Sequence, residues 1–166
     1  MSRDHSLSVS AFYNSYDKLR TVEASGPAVF PLEVRNNMRG DTHGLETWAS
    51  LAVREWWRLN AGFSALRKDL RLAPGNRDVF GVAFAGNDPR QQWQLSSNMD
   101  IGGRFHVDVW LRRSGSLKSP EVPSYVEADA RIAWEAAETL EISIDGRNVL
   151  HERDLEFMNP SIPGRV

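Results

Sequence analysis

Apolar and polar residues alternate with a period of two along most of this chain. The alternation falls into seven stretches, residues 6–22, 34–53, 57–70, 89–101, 104–114, 124–134 and 139–148. In the fifth, Phe105, Val107, Val109 and Leu111 stand against Arg104, His106, Asp108, Trp110 and Arg112. In the sixth, Val126, Ala128, Ala130, Ile132 and Trp134 stand against Tyr125, Glu127, Asp129, Arg131 and Ala133. Over the clearest part of each (6–13, 45–53, 58–65, 92–101, 104–112, 125–134, and 140–145 with Arg147), one face is apolar at 28 of 30 positions and the other at 6 of 31. Successive side chains of a β-strand point to opposite sides, so this contrast predicts strands with one apolar and one polar face. A helix fits poorly, because charges recur three and four residues from the apolar positions. The one helix-like run, Ala133–Glu141, reads as a tight turn at Glu135-Ala136-Ala137-Glu138. The expected fold is all-β, an antiparallel up-and-down meander of about seven to eight long strands.

The connections alternate in length. Arg54-Glu55-Trp56, Gly102-Gly103 and Glu135–Glu138 are short. Residues 24–33, 71–88 and 115–123 are long and carry Gly26-Pro27, Pro74-Gly75-Asn76, Gly86-Asn87-Asp88-Pro89, Pro120 and Pro123, all turn or breaker signals. Antiparallel strands joined this way place every short turn at one end and every long loop at the other. Outer-membrane barrels are built on that plan. Trp56, Trp57 and Trp134 fall beside short turns, while Trp93 and Tyr125 lie toward the long loops. Aromatic girdles at two membrane interfaces produce this placement, and so does the ordinary preference of aromatics for strands.

Composition limits what such a sheet does. The chain has 166 residues, the length of one domain, and 20 Lys+Arg against 22 Asp+Glu give a net charge of −2. It lacks the basic excess of a nucleic-acid coat, so no nucleic-acid partner is expected. Cysteine is absent, which excludes disulfides and thiolate chemistry. No apolar run reaches the roughly 18 residues of a membrane-crossing helix. A membrane-crossing strand needs only about 10 alternating residues, and such strands average to a mild hydropathy. The opening Met1-Ser2-Arg3-Asp4-His5 lacks the charged and apolar regions of a signal peptide. Read literally it describes a cytoplasmic chain; the other reading is a segment whose signal lies upstream. Alternation does not say what each face meets, because a soluble sandwich has two-faced strands as well. Several stretches exceed 10 residues, against about 5–6 for sandwich strands. The polar face is crowded with Gln, Asn, Asp, Arg, His and Glu, as a water-filled lumen is. Both features favour the membrane.

Four segments, in order, carry a family resemblance. Ala11-Phe12-Tyr13-Asn14-Ser15-Tyr16-Asp17-Lys18-Leu19 resembles an "F-Y-x-x-Y-x-x-L" strand of the TonB-dependent outer-membrane receptors. Residues Arg39–Thr47 resemble that family's "G-x-x-x-G-x-E" strand opening through Gly40, Gly44 and Glu46. Residues Val122–Trp134 look like its "P-S-Y-x-x-x-D-x-R-x-x-W" strand. Leu140–Leu150 look like its "L-x-L-x-x-x-G-x-N-L-L" strand, followed by the loop His151–Phe157. The resemblance implies a 22-stranded outer-membrane barrel holding a plug, which imports a scarce ligand such as a ferric siderophore, cobalamin or haem with energy passed on by TonB. This chain shows no plug and no TonB box, has room for about a third of such strands, and ends at Ile162-Pro163-Gly164-Arg165-Val166 without a final aromatic strand. Residues 1–166 therefore read as one partial barrel domain. Its expected partners are outer-membrane lipid, the rest of the barrel and plug, the TonB system indirectly, and a small ligand of unknown identity.

No residue set points to bond chemistry. His106 and Asp108 share a face two residues apart, as a structural lumen pair. Glu127, Asp129 and Arg131 suggest a cross-strand charge ladder. Gly81–Gly86 has two glycines and is expected not to lead into a helix, so it is not a phosphate cradle. Asn87-Asp88-Pro89, Asp4, Asp41 and Asp100 do not reproduce a calcium-loop spacing. Arg67, Lys68, Arg71 and Arg77 flank one long loop, and Arg112, Arg113 and Lys118 the next, where basic loops steer anions or simply face water. No catalytic, cofactor-binding or metal-ligating residue and no cofactor is assigned, and the chain is expected not to be an enzyme. Three other readings compete: a soluble lipocalin-like barrel binding a small apolar ligand, a small eight-stranded outer-membrane protein, and an enzyme on a β scaffold. The second needs an eighth strand, for which Leu155–Val166, with Pro160 and Pro163, is poorly suited.

Overall fold

In the computed structural model each alternating stretch is a strand, with bounds close to those the pattern predicts. The structure describes residues 5–26, 29–119 and 121–150. The tail 155–166, the loop 151–157, Asp4, Pro27 and Pro120 lie outside the described residues. The long strands are β1 (His5–Ala24), β2 (Leu32–Arg54), β3 (Trp57–Leu72), β4 (Gln91–Ile101) and β5 (Phe105–Ser114). After a small hairpin of β6 (Leu117–Lys118) and β7 (Glu121–Val122) come β8 (Tyr125–Ala137) and β9 (Leu140–Gly146). One helix, α1 (Gly81–Ala85), sits in the β3–β4 loop. The seven long strands form one antiparallel sheet in the order β1-β2-β3-β4-β5-β8-β9, so every neighbour in space is a neighbour along the chain apart from the small hairpin.

Register carries each face across the whole sheet. On one side Val9 pairs with Thr47, Thr47 with Phe63, Phe63 with Trp93, Trp93 with Arg113 and Arg113 with Val126. Nearer the short turns, Trp57 pairs with Met99, Met99 with Val107, Val107 with Ile132 and Ile132 with Ile144. On the other side run Ser8, Trp48, Gly62, Gln94, Arg112 and Glu127. Ser97 and Thr47, polar residues in the middle of the apolar face, are accommodated. Ser97 accepts a hydrogen bond from the Trp57 indole (3.0 Å), and Thr47 packs between Val9 and Phe63.

Among the described residues nothing covers the apolar face. Leu7 is 74% exposed, Ile132 54% and Ile144 76%, and no large side chain is fully buried among the described residues. Aromatic pairs mark the short-turn rim. Trp56 stacks on Trp57 (centroids 6.1 Å apart) and Phe105 on Trp134 (6.3 Å). At the β4–β5 turn Gly102 and Gly103 adopt φ of 62° and 68°, a region that favours glycine.

Three expectations need correction. The turn expected at residues 135–138 is shorter. β8 continues to Ala137, Glu135 pairs with Glu141, and Glu138-Thr139 alone connect to β9. Pairing of Trp134 with Ile142 on the apolar face holds the ladder together past the expected boundary. Gly81–Gly86, expected not to lead into a helix, contains α1 itself, a single turn capped by the Gly86 N–H on the Val82 carbonyl (2.9 Å). The β6–β7 hairpin had no alternation long enough to announce it.

Candidate functional site

The polar face is hollow. A cavity of about 530 Å³ spans six strands and is lined by Ser8, Glu46, Trp48, Gln94, Arg112 and Glu127 among others. A second hollow of about 490 Å³ lies on the same face toward the long loops, between Phe12, Tyr16, Met38, Leu70 and Ala85 of α1. Glycines opposite aromatics shape the wall. Phe12 pairs with Gly44 and Trp48 with Gly62, and each of these two rings lies over a residue without a side chain; Tyr16 pairs with Gly40. A Cβ on Gly44 stands 2.6 Å from the Phe12 ring, and one on Gly62 stands 2.8 Å from the Trp48 ring.

Polar side chains cross the strands as ladders. Asn60 donates to Ser96 (3.1 Å) and Asn98 (3.2 Å), and Asn98 donates to Asp108 (2.7 Å). Arg112 donates to Glu127 and lies 3.2 Å from Asp129. Arg131 pairs with Glu141 (2.6 Å) and Asp145 (3.6 Å). The expected charge ladder is present, with Arg112 and not Arg131 holding Glu127 and Asp129.

His106 does not meet Asp108. Its Nδ1 lies 2.7 Å from Asp100 and its Nε2 3.2 Å from Glu135, so the ring bridges β4 and β8. Alternation places Asp108 on the same face, but residues directly opposite are closer than residues two apart on one strand. The two carboxylates sit at opposite ring nitrogens and do not converge on one point. Among the described residues no group of three or more His, Asp or Glu is placed to hold a metal ion. Asp41 lies on the other face from Glu46, and His5 and His43 also lie on the apolar side, paired with Leu51 and Tyr13. His151 lies outside the described residues.

The long-loop end is knitted together by side chains. The β3–β4 loop crosses the tops of β3 and β2 to reach the outer edge of β1. Ala24 N–H donates to Arg77 O (3.2 Å) and Val79 N–H to Val22 O (2.9 Å). Asp78 accepts from the Val22 N–H (2.8 Å) and the Gly81 N–H (2.7 Å). Glu23, only 5% exposed, accepts from Thr21 (2.6 Å), Asn37 (2.8 Å) and Asn76 (2.6 Å). The Thr21 hydroxyl above all, with Asn37 and Asn76, holds this carboxyl below the usual carboxylate range against the opposing effect of burial. Lys68 pairs with Asp88, Arg71 with Asp69 (2.8 Å), and Arg77 donates to the Gly26 carbonyl (2.6 Å). Asn87 accepts from the Lys118 and Ser119 N–H groups (2.8 and 3.0 Å), which ties two long loops together. None of this clip was visible in the sequence beyond the turn cluster Pro74-Gly75-Asn76.

No family model matches the chain, and no curated protein matches it in sequence. Among solved structures, that of the siderophore receptor PiuA from Acinetobacter baumannii is similar over 87% of this chain, with a TM-score of 0.67 and 17% identity. The match covers 22% of that receptor, so this chain spans about a fifth of its length. At that identity the likeness is one of fold alone.

Proposed function

We propose that this chain is a stretch of outer-membrane barrel wall that serves ligand uptake as part of a TonB-dependent receptor. The observation that carries the reading is the division of faces: an uncovered apolar face continuous over seven strands, backed by a polar hollow. Lipid is the cover that suits it. Burying one large apolar side chain yields about 1.5–3 kcal/mol, so about ten belt residues yield on the order of 20 kcal/mol. The rest of the barrel completes the wall, a plug fills the lumen, and the TonB system acts on the plug and so only indirectly on this segment. The cargo is a small scarce ligand of the ferric siderophore, cobalamin or haem kind. The residues here hydrate the lumen and anchor the wall, and none performs bond chemistry. An isolated segment with two open sheet edges is aggregation-prone and transports nothing by itself.

The lipocalin-like alternative needs an apolar interior. Here the central hollow carries Ser8, Gln94, Glu46, Glu127 and Arg112 beside the Trp48 ring, the second hollow is mostly apolar, and the face that is apolar across the seven strands lies on the other side. The test is flotation. Chain refolded from denaturant with phosphatidylcholine vesicles is expected to float with them and to resist alkaline extraction. Monodisperse chain in detergent-free buffer that ignores the vesicles sinks the proposal. Uptake of a ferric chelate by this chain alone, without plug or TonB, sinks the positional role given to it.

A further inference from the structure

The tip of the β8–β9 hairpin projects past β5 at the short-turn rim. β5 pairs with β8 only as far as Phe105 and Trp134, whereas β8 runs on to Ala137. Over that end its strand partner is β9, through Glu135 with Glu141 and Ala137 with Leu140, and the register is irregular between the two pairs. Two ties lead from the tip back to β5. The Glu135 N–H donates to the Arg104 carbonyl (2.8 Å), and the Glu135 carboxylate lies 3.2 Å from His106 Nε2. The other ring nitrogen, Nδ1, meets Asp100 of β4 at 2.7 Å. Directly opposite His106 on β8 stands Ala133, whose small side chain leaves the ring room to reach Glu135 on the diagonal.

The other charges around the ring are engaged elsewhere or stand further off. On β5, Asp108 accepts from Asn98 (2.7 Å), and Arg104 lies in the turn. On β8, Arg131 is held by Glu141 (2.6 Å) and Asp145 (3.6 Å) of β9. On β3, Arg58 stands opposite Asn98. Among the described residues no Lys or Arg lies within ion-pair distance of Asp100 or Glu135, so the His106 ring is their shared partner. An ionised carboxylate only accepts hydrogen bonds, and a neutral imidazole carries a single N–H. Both contacts are therefore hydrogen bonds only while both ring nitrogens carry a proton. A neutral ring keeps one bond and sets a bare nitrogen against a carboxylate at the other. Asp100 lies directly across the strand pair at the shorter distance and keeps the proton, so the diagonal contact to Glu135 is the one given up.

We propose that His106 is a proton-operated clasp on the hairpin tip: charged, it ties β4, β5 and β8 together at the short-turn rim, and on losing its proton it releases Glu135 and the end of β8. The clasp depends on strand register and holds whether the outer face meets lipid or water, so it goes beyond the function proposed above.

Hydrogen exchange at residues 134–137 reads the tip, in the full chain in whichever folded state it is recovered, vesicle-bound or free. Rates are taken at about pH 5.5 and about pH 8.5, on either side of the ordinary histidine value of about 6.5, and corrected for the chemical exchange rate. A partly exposed ion pair accounts for roughly a two- to fivefold change in an opening equilibrium. Protection at 134–137 is expected to fall by that factor at the higher pH, with residues 126–130 unchanged. His106→Gln, neutral at both values, is expected to show the open rate at both. His106→Arg, charged at both and carrying a fork of donors, is expected to show the closed rate at both, which separates the clasp from a general loss of packing. His43→Gln, on the outward face, is expected to keep the step. Equal protection of the parent at both values, an equal step at 126–130, a His106→Gln variant that keeps the step, or a His106→Arg variant that behaves like Gln overturns the inference and leaves the membrane reading standing. Failure to float with vesicles bears on that reading alone.

Discussion

Gly40 offers a sharp test of the wall's packing. It stands on β2 facing the hollow, and its backbone φ lies outside the region that favours glycine, so only space argues for it there. A Cβ at this position falls 2.2 Å from the Asp69 carbonyl oxygen, 2.7 Å from Leu70 Cα and 2.9 Å from Leu70 Cδ2. A relaxed carbon–oxygen contact is about 3.3 Å, so Gly40→Ala forces β2 and β3 apart by roughly 1 Å. Two of the three clashing atoms are backbone, which leaves no side-chain rotation to relieve the contact. Weakening two ladder hydrogen bonds at about 1 kcal/mol each, with the strain of overpacking, predicts a loss of ~2–4 kcal/mol. That is a large share of a typical net stability of about 5–15 kcal/mol. Gly75 is the contrast. Its φ is +75° and nothing lies within 4 Å of its Cβ, so Gly75→Ala costs only the ~1–2 kcal/mol of a left-handed alanine. Asparagine separates the two causes. Because it tolerates the left-handed region, it recovers part of the loss at 75, but it is larger than alanine and worsens the loss at 40. Urea unfolding in detergent micelles, followed by tryptophan fluorescence, reads each value. Gly40→Ala as stable as the parent, or Asn milder than Ala at 40, refutes the steric account.

Other outcomes follow from the same geometry. Val109→Arg, near the middle of the apolar face, is expected to cost about 2–4 kcal/mol in lipid, whereas Ser96→Arg on the hollow face costs little; equal losses in a vesicle-refolding titration contradict the assignment of faces. Trp134→Ala removes the stack on Phe105 and is expected to lose about 0.5–1.5 kcal/mol beyond the lost area, measurable in a double-mutant cycle with Phe105→Ala. The Glu23 carboxyl is held below its usual range when folded, so its contribution is complete above that range and fades as pH falls through the lowered value. Limited proteolysis of the β3–β4 loop is therefore expected to accelerate in acid, and Glu23→Gln to be cut faster at neutral pH with a flatter pH profile; identical profiles refute the clip.

Much of the wall was legible because β-structure writes itself with a period of two. The strand bounds, the single apolar face and the shared end of the short turns all come from side chains such as Val107, Val109 and Leu111 taking alternate sides. Facing is a local property, and alternation reports it. Partnership is not. His106 shares a face with Asp108, yet its partners Asp100 and Glu135 come from two other strands and depend on register. Arg112 was legible as a loop-flanking cation, whereas its bridge to Glu127 and Asp129 required the pairing of β5 with β8. The β3–β4 loop was least legible. Its course over β2 to β1 is set by single hydrogen bonds from Asn37, Asn76 and Asp78, and such contacts have no period. Gly40 and Gly44 stood out as a motif, and the structure supplies their physical reason: rings and backbone come too close for any side chain.

The clip at Glu23 and Asp78 also gives the sheet a direction of growth. Among the described residues nothing pairs with the outer edge of β1 from the short-turn end upward until residues 22–24, which are engaged by residues 77–79. A strand joining there has to start at the lower end and close upward like a zip with its stop at Thr21. Wall assembly past β1 is thereby polarised, and a strand entering from the long-loop side finds no free peptide groups on which to begin.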